Sequence, residues 1–158
     1  MLELQADNEF FVAASVGSII AILWRRTTMA GVEATREIVE RFGAKHPSGF
    51  AVLTMVPENS PPPDSETRRK LATMMGRDGA IRGAAVFFEG TGIRVTVIRS
   101  VTTGLMLLAR PPYPYKVFDS LEGAITFLHD VLQKSGAPVK STAELLAALL
   151  PWRRSARL

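Results

Sequence analysis

Two short runs without charged residues constrain the fold of this chain more than any other feature. They span residues 50–56 (FAVLTMV) and 84–88 (AAVFF). A strand that is apolar on both faces is typical of a parallel sheet covered by helices on both sides. The two runs therefore predict buried strands of a layered α/β fold.

The N-terminal region predicts a β-hairpin. Residues 9–16 and 19–25 are rich in β-branched and aromatic residues, and Gly17 and Ser18 lie between them. Glycine at the first central position suits a two-residue type II′ turn. The alternative is a short buried helix, because the alanines of both segments tolerate helix, but the central break favours the hairpin.

Helical periodicity follows the hairpin and each later predicted strand. Thr27 or Thr28 is expected to cap the first helix, and Asp64 or Ser65 the second, after an extended proline-rich loop at residues 57–63. Residues 93–108 combine strand propensity with helical spacing. They are predicted to be helical because a parallel sheet needs a crossover there.

The C-terminal third predicts one more strand and two more helices. The strand covers residues 115–118, and the pair Asp119 and Glu122 resembles a capping box for the helix that follows. A short last helix is expected at residues 142–150. Ser141 and Glu144 would open this helix, and Pro151 would end it.

This order of elements predicts an α/β fold with a mixed β-sheet. The hairpin opens the sheet, α-helices pack on it, and a short C-terminal helix is added. We expect an α/β domain at residues 1–135. A linker, the short helix and a basic tail would occupy residues 136–158.

Composition excludes several classes of chemistry. The chain has no cysteine and only two histidines, His46 and His129, and no acidic cluster stands near either at metal-ligand spacing. We therefore expect no metal, no cofactor and no catalytic residues, so that the protein is not an enzyme. The net charge of +4 falls to +1 without the three arginines after residue 150, which argues against nucleic-acid binding.

Neither a membrane span nor an export signal is predicted. The longest uncharged run, residues 10–24, has fifteen residues, whereas a spanning helix needs about 20. The first nine residues carry three acids and no basic residue, unlike a signal peptide. These observations lead us to expect a cytoplasmic protein.

Several segments together resemble the STAS-like family, which shares its fold with anti-sigma-factor antagonists and SEC14-type lipid-binding domains. They are the opening hairpin, the run 50–56, the stretch 84–110 and the closing YKVFDSLEGAITFL at residues 115–128. The resemblance covers about residues 8–134. It implies a non-enzymatic regulatory module of bacterial signalling that binds another protein. Some members are switched by phosphorylation of a serine near the position of residues 57–66, but their short Asp-Ser-Ser-Gly turn is absent here.

Four residues around the second helix are the candidates for partner binding or phosphorylation. Ser65 begins this helix, where free N–H groups favour a phosphate, and Arg68 and Arg69 lie within about one turn. The alternative is that Ser65 only caps the helix. Ser60 is a weaker candidate, expected to be extended and accessible because it precedes Pro61.

The end of the chain is a second candidate surface. Trp152, Arg153 and Arg154 follow an apolar helix and could contact an acidic partner or, peripherally, an anionic membrane. Packing of this helix on the domain is the favoured alternative, because one short helix with three arginines binds membranes weakly.

The sequence therefore predicts a cytoplasmic protein-interaction module whose partner is another protein. A homodimer through a sheet edge or the last helix stays open. The alternative function is binding of an apolar small molecule or lipid in a SEC14-like cavity. The six methionines and eight phenylalanines could line such a cavity. An enzyme is the least favoured reading.

Overall fold

A computed structural model describes residues 1–75, 79–90 and 92–156, so Gly76, Thr91 and the last two residues of the predicted tail lie outside it. Within these ranges the chain has the predicted α/β fold, with a six-stranded mixed sheet and five helices. The strands are β1 (Leu2–Asp7), β2 (Phe11–Val16), β3 (Ile19–Trp24), β4 (Phe50–Val56), β5 (Ile81–Phe88) and β6 (Tyr115–Phe118). The helices are α1 (Met29–Ala44), α2 (Ser65–Met75), α3 (Ile93–Ala109), α4 (Leu121–Ser135) and α5 (Thr142–Ala156).

The strands lie in the sheet in the order in which they occur in the chain. β1, β2 and β3 are antiparallel neighbours, whereas β3 to β6 run parallel and are joined by α1, α2 and α3. The predicted hairpin is confirmed, since Val16 pairs with Ile19. Gly17 has a φ of 58° and Ser18 has a negative φ, as a type II′ turn requires.

The first strand was not predicted. β1 adds an edge to the hairpin by pairing with β2, and its register shifts between Leu4 and Ala6. Polar side chains and the exposed Leu4 lie along this edge. The sheet therefore begins with an edge strand, and the predicted hairpin is its second and third strand.

Side-chain caps begin four of the five helices, and one of them corrects the predicted assignment. As predicted, Thr28 caps α1, and Asp64 caps α2 by accepting a hydrogen bond of 2.8 Å from the Thr67 N–H. Ser120, not Asp119, caps α4, because its hydroxyl accepts from Gly123 N at 3.1 Å. The capping box of α5 is confirmed. Glu144 N donates to Ser141 Oγ at 3.2 Å, and Ser141 N donates to Glu144 Oε2 at 3.0 Å.

The last helix is longer than predicted and packs into the protein core. α5 continues through Pro151 to Ala156, although a proline inside a helix removes one backbone hydrogen bond. Leu145 and Leu149 are fully buried against α4 and β2. Packing of the helix on the domain, the favoured alternative, is confirmed.

The helices cover the two faces of the sheet unequally. α4 and α5 cover one face, in a core that contains Leu53, Ile125 and Leu128. On the other face α1 packs on β2 and β3, whereas α2 packs mainly on α1 and α3. No helix in the described part of the chain combines the length and apolar character needed to cross a membrane.

Candidate functional site

The middle strand β4 shows where one face of the sheet is left open. Its residues Ala51, Leu53 and Met55 point toward α4 and are fully buried. The alternating residues Val52 and Thr54 and the terminal Val56 point to the other face and are only partly buried. A strand with parallel neighbours on both sides is normally covered on both faces. The helices α1, α2 and α3 therefore leave a gap above β4.

This gap is a cavity of about 420 Å³, within the size range of small-molecule sites. The cavity has a floor of strand residues and a roof of helix residues. Register alignment puts Val52, Ala84 and Tyr115 side by side on β4, β5 and β6, and the small Ala84 leaves room between its larger neighbours. Other lining residues are Ile22, Thr54 and Val86 from the floor, and Val39, Leu71, Val101 and Leu105 from the roof.

Four hydroxyl groups in the cavity wall have no hydrogen-bond partner among the described residues. They belong to Thr27, Thr54, Ser60 and Tyr115. Thr54 is the one polar residue in the run 50–56. A polar residue in an otherwise apolar strand could have indicated from the sequence that one face of the strand is not fully packed. A mainly apolar wall with a few polar groups is typical of a ligand pocket.

Ser60 is buried, so the expectation that it is accessible is wrong. Only 6% of its surface is exposed. The N–H of Ser60 donates to Pro57 O at 3.1 Å, which closes a turn over residues 57–60 and directs the serine inward. Ser60 therefore lines the cavity and does not face solvent.

Two tyrosines stand at the β6 side of the cavity. Burial raises the pKa of Tyr113 to about 12. Burial also raises the pKa of Tyr115, and the neighbouring Tyr113 adds to this effect. Both phenols are therefore protonated at neutral pH and able to donate a hydrogen bond.

Charged groups on α1 and α2 pair with one another at the edge of the cavity. Arg36 donates to Glu33 Oε1 through Nε at 2.8 Å and to Glu40 Oε2 at 2.7 Å. Lys70 on α2 pairs with Glu33 Oε2 at 3.2 Å. Hydrogen bonds from Arg36 and Lys70 lower the pKa of Glu33 to about 2, so this carboxylate is charged at pH 7. The cluster contains two acidic and two basic side chains, whose formal charges cancel.

The other three predicted residues of α2 meet in a shallow groove outside the cavity. Ser65 is exposed, and its hydroxyl accepts a hydrogen bond of 3.0 Å from Arg68 Nη2. Arg69 lies in the same groove, whose other wall is α3 with Ser100 and Leu108. The structure thus groups Ser65, Arg68 and Arg69 and separates them from Ser60.

The tail residues have different environments. Arg153 pairs with the buried Glu89, Nε to Oε1 at 3.2 Å, and lies 4.9 Å above the ring centre of Phe87. Trp152 is partly buried against the α4–α5 core, whereas Arg154 is exposed. Of the three tail candidates, Arg154 is therefore the one with an exposed side chain.

Metal binding finds no support in the described ranges. No three His, Cys, Asp or Glu side chains gather there as a metal would need. His46 lies 2.9 Å from Phe42 O through Nδ1 and stacks on the Phe42 ring. The expectation that methionine and phenylalanine line the cavity is met only by Phe50 and Met74 among its described lining residues.

Comparisons of the sequence with protein-family models, with curated proteins and with solved structures find no match. The STAS-like resemblance and the regulatory role that it implies therefore stay predictions.

Proposed function

We propose that the protein binds an apolar small molecule in the cavity between the sheet and α1, α2 and α3. The observation that carries this proposal is the partial exposure of Val52, Thr54 and Val56 on a middle strand of the sheet. This function is binding without catalysis, and it corresponds to the alternative that the sequence analysis leaves open.

Burial of apolar surface is the driving force that we expect for binding. The wall of the cavity is mainly aliphatic, from Val52 and Val86 on the floor to Leu71 and Leu105 on the roof. Covering apolar surface contributes about 25 cal/mol for each Å² removed from water. A ligand in the gap would also supply the dispersion contacts that the wall lacks when no atoms face it.

The test is binding of the neutral dye N-phenylnaphthylamine, whose fluorescence increases in apolar surroundings. Leu105→Trp should fill part of the cavity from the roof and weaken dye binding by about tenfold or more. Leu107→Trp is the matched control, because Leu107 lies on the same helix but is 74% exposed. The control should bind the dye like the unmodified protein.

A second variant separates the cavity from the neighbouring groove, since Leu105 contacts both. Ala84→Leu changes only the floor of the cavity and should also weaken dye binding. Circular dichroism and thermal unfolding would establish that both variants are folded. Dye affinity that is the same in all four proteins would rule the proposed function out.

An apolar patch beside the groove supports a second candidate function, docking of a partner protein. Leu107 and Leu108 on α3 are 74% and 67% exposed, and Arg68 and Arg69 lie close to Leu108. Exposed apolar side chains next to charged ones are a common feature of protein interfaces. A partner with apolar and acidic groups would fit this surface, where the sequence analysis predicts the interaction.

Charge reversal tests this second function. The tagged protein would be purified from its own host with quantitative mass spectrometry, beside the double variant Arg68→Glu/Arg69→Glu. Lys45→Glu/Lys134→Glu makes the same charge change at exposed positions at the ends of α1 and α4. A genuine partner should be lost from the groove variant and retained by the control; retention by both would exclude the groove.

A further inference from the structure

Tyr115 is placed to contact any molecule that fills the cavity. It pairs in register with Ala84, which in turn pairs with Val52, so the three side chains form one row across the floor. The Tyr115 ring packs on Val86 and Phe88, which fixes its position at the β6 end of this row. Because Ala84 is small, the middle of the row is open and the tyrosine borders the open space.

The hydroxyl of Tyr115 is available to a ligand as far as the described part of the chain is concerned. It forms no hydrogen bond with any described residue. Tyr113, by contrast, already interacts within the chain. A ligand that covered this hydroxyl without offering an acceptor would leave it buried and unpaired at a cost in free energy, so a ligand with an acceptor should bind more tightly than one without.

The charges around the cavity indicate an uncharged ligand. Arg36 is the one cationic side chain among the described residues that line the cavity. Its guanidinium already donates to Glu33 and Glu40. Among the described lining residues, a carboxylate or phosphate would therefore find mainly apolar side chains and no uncommitted cation. Burying an unpaired charge is strongly unfavourable.

We propose that the ligand is an uncharged amphiphile with one hydrogen-bond acceptor, such as an ester or ketone oxygen, and that Tyr115 Oη donates to this acceptor. The apolar part of the ligand then lies along Val52, Ala84 and Val86. This inference rests on the proposed function, because it identifies the class of molecule and the residue that selects it.

Three molecules with the same chain length test the ligand class: methyl laurate, dodecane and laurate. Each would displace N-phenylnaphthylamine from the protein, below its own solubility limit. Methyl laurate should bind about 5- to 10-fold more tightly than dodecane, as one net hydrogen bond allows. Laurate should bind more weakly than its methyl ester. The inference is overturned if dodecane or laurate binds as tightly as the ester.

Removal of the phenolic oxygen tests the role of Tyr115. Tyr115→Phe should reduce methyl laurate affinity about 5- to 10-fold and leave dodecane affinity unchanged. Tyr113→Phe is the matched control and should change the preference for the ester over dodecane much less. An equal loss for both ligands in Tyr115→Phe would show a packing role and overturn the inference, as would an unchanged ester affinity.

The dye separates failure of this inference from failure of the proposed function. If N-phenylnaphthylamine binds and is sensitive to Leu105→Trp and Ala84→Leu, but Tyr115→Phe keeps its preference for the ester, only the role of Tyr115 is wrong. If the dye binds equally to the unmodified protein and to the cavity variants, the cavity is not the site and both proposals fail.

Discussion

Thr54 shows how a single residue identifies the face of a strand that is not packed. The hydrogen bonds among the described residues leave its hydroxyl unused, although the strand is in the middle of the sheet. Its partner in register on β3 is Ile22, and on β5 it is Val86, so its neighbours across the sheet are apolar. A threonine in this setting is expected to be hydrated when the cavity holds no ligand.

Replacing Thr54 should change ligand affinity in a direction that simple loss of packing would not produce. Thr54→Val keeps the shape of the side chain but removes a hydroxyl that an apolar ligand would have to dehydrate. We expect N-phenylnaphthylamine to bind about fivefold more tightly, corresponding to about 1 kcal/mol. Dye titration measures this change.

Thr35 provides the matched control for Thr54, because it also lines the cavity. Its hydroxyl already donates to Gly31 O at 2.9 Å. Thr35→Val should therefore leave dye affinity close to that of the unmodified protein. Weaker dye binding in Thr54→Val would contradict the idea that dehydration of its hydroxyl opposes ligand entry.

Most elements could be predicted from the sequence because their signals are local. β4 and β6 begin and end at the expected residues, since turn-forming residues and prolines interrupt the chain around them. Local propensity alone would have given the wrong prediction for α3, because residues 93–108 favour a strand. The parallel order of β5 and β6 demands a crossover, and this topological requirement correctly predicted the helix.

One strand was missed and one helix was predicted too short. Leu2, Leu4 and Ala6 alternate with polar residues, which is the pattern of a strand with one polar face. Pro151 suggested a helix end, yet tertiary contacts of the following turn keep α5 helical to Ala156. β1 is held by pairing with the neighbouring strand β2, whereas the end of α5 contacts the distant strand β5 through Arg153.

The contact between the end of α5 and β5 should contribute measurably to stability. Arg153 pairs with the buried Glu89 and covers the ring of Phe87. Arg153→Met keeps much of the packing but leaves the carboxylate without this cation, so it should lower the free energy of unfolding by about 2 kcal/mol. Urea unfolding measures this loss.

Arg154 is the control for Arg153, because it is the adjacent arginine and its side chain is exposed. Arg154→Met should change the free energy of unfolding by less than about 0.5 kcal/mol. Equal effects of the two substitutions would mean that loss of positive charge, and not the contact with Glu89, explains the result.

At the scale of the whole molecule, the two faces of the sheet have different packing. The face toward α4 and α5 holds a continuous core in which Leu53, Ile125 and Leu128 are completely buried. The face toward α2 and α3 contains the cavity. This difference could not be predicted from composition, because the cavity is a gap between elements whose own sequences look like ordinary core segments.

Unequal packing predicts unequal local stability. Because α2 packs mainly on α1 and α3 and the cavity lies beneath it, α2 and α3 should open more readily than α4. Their backbone amides should therefore exchange with deuterium faster than those of α4. Saturating methyl laurate should slow exchange in α2 and α3, because a ligand stabilises the closed form to which it binds.

Measuring amide hydrogen–deuterium exchange in the Ala84→Leu variant distinguishes binding of methyl laurate in the cavity from a general stabilising effect of the ester. Methyl laurate should protect α2 and α3 in the unmodified protein but much less in this variant, whose substitution occupies the floor of the cavity. Protection of α4 to the same extent as α2 and α3 would contradict the prediction. In that case the ester would stabilise the whole fold, and the cavity above β4 would not be its binding site.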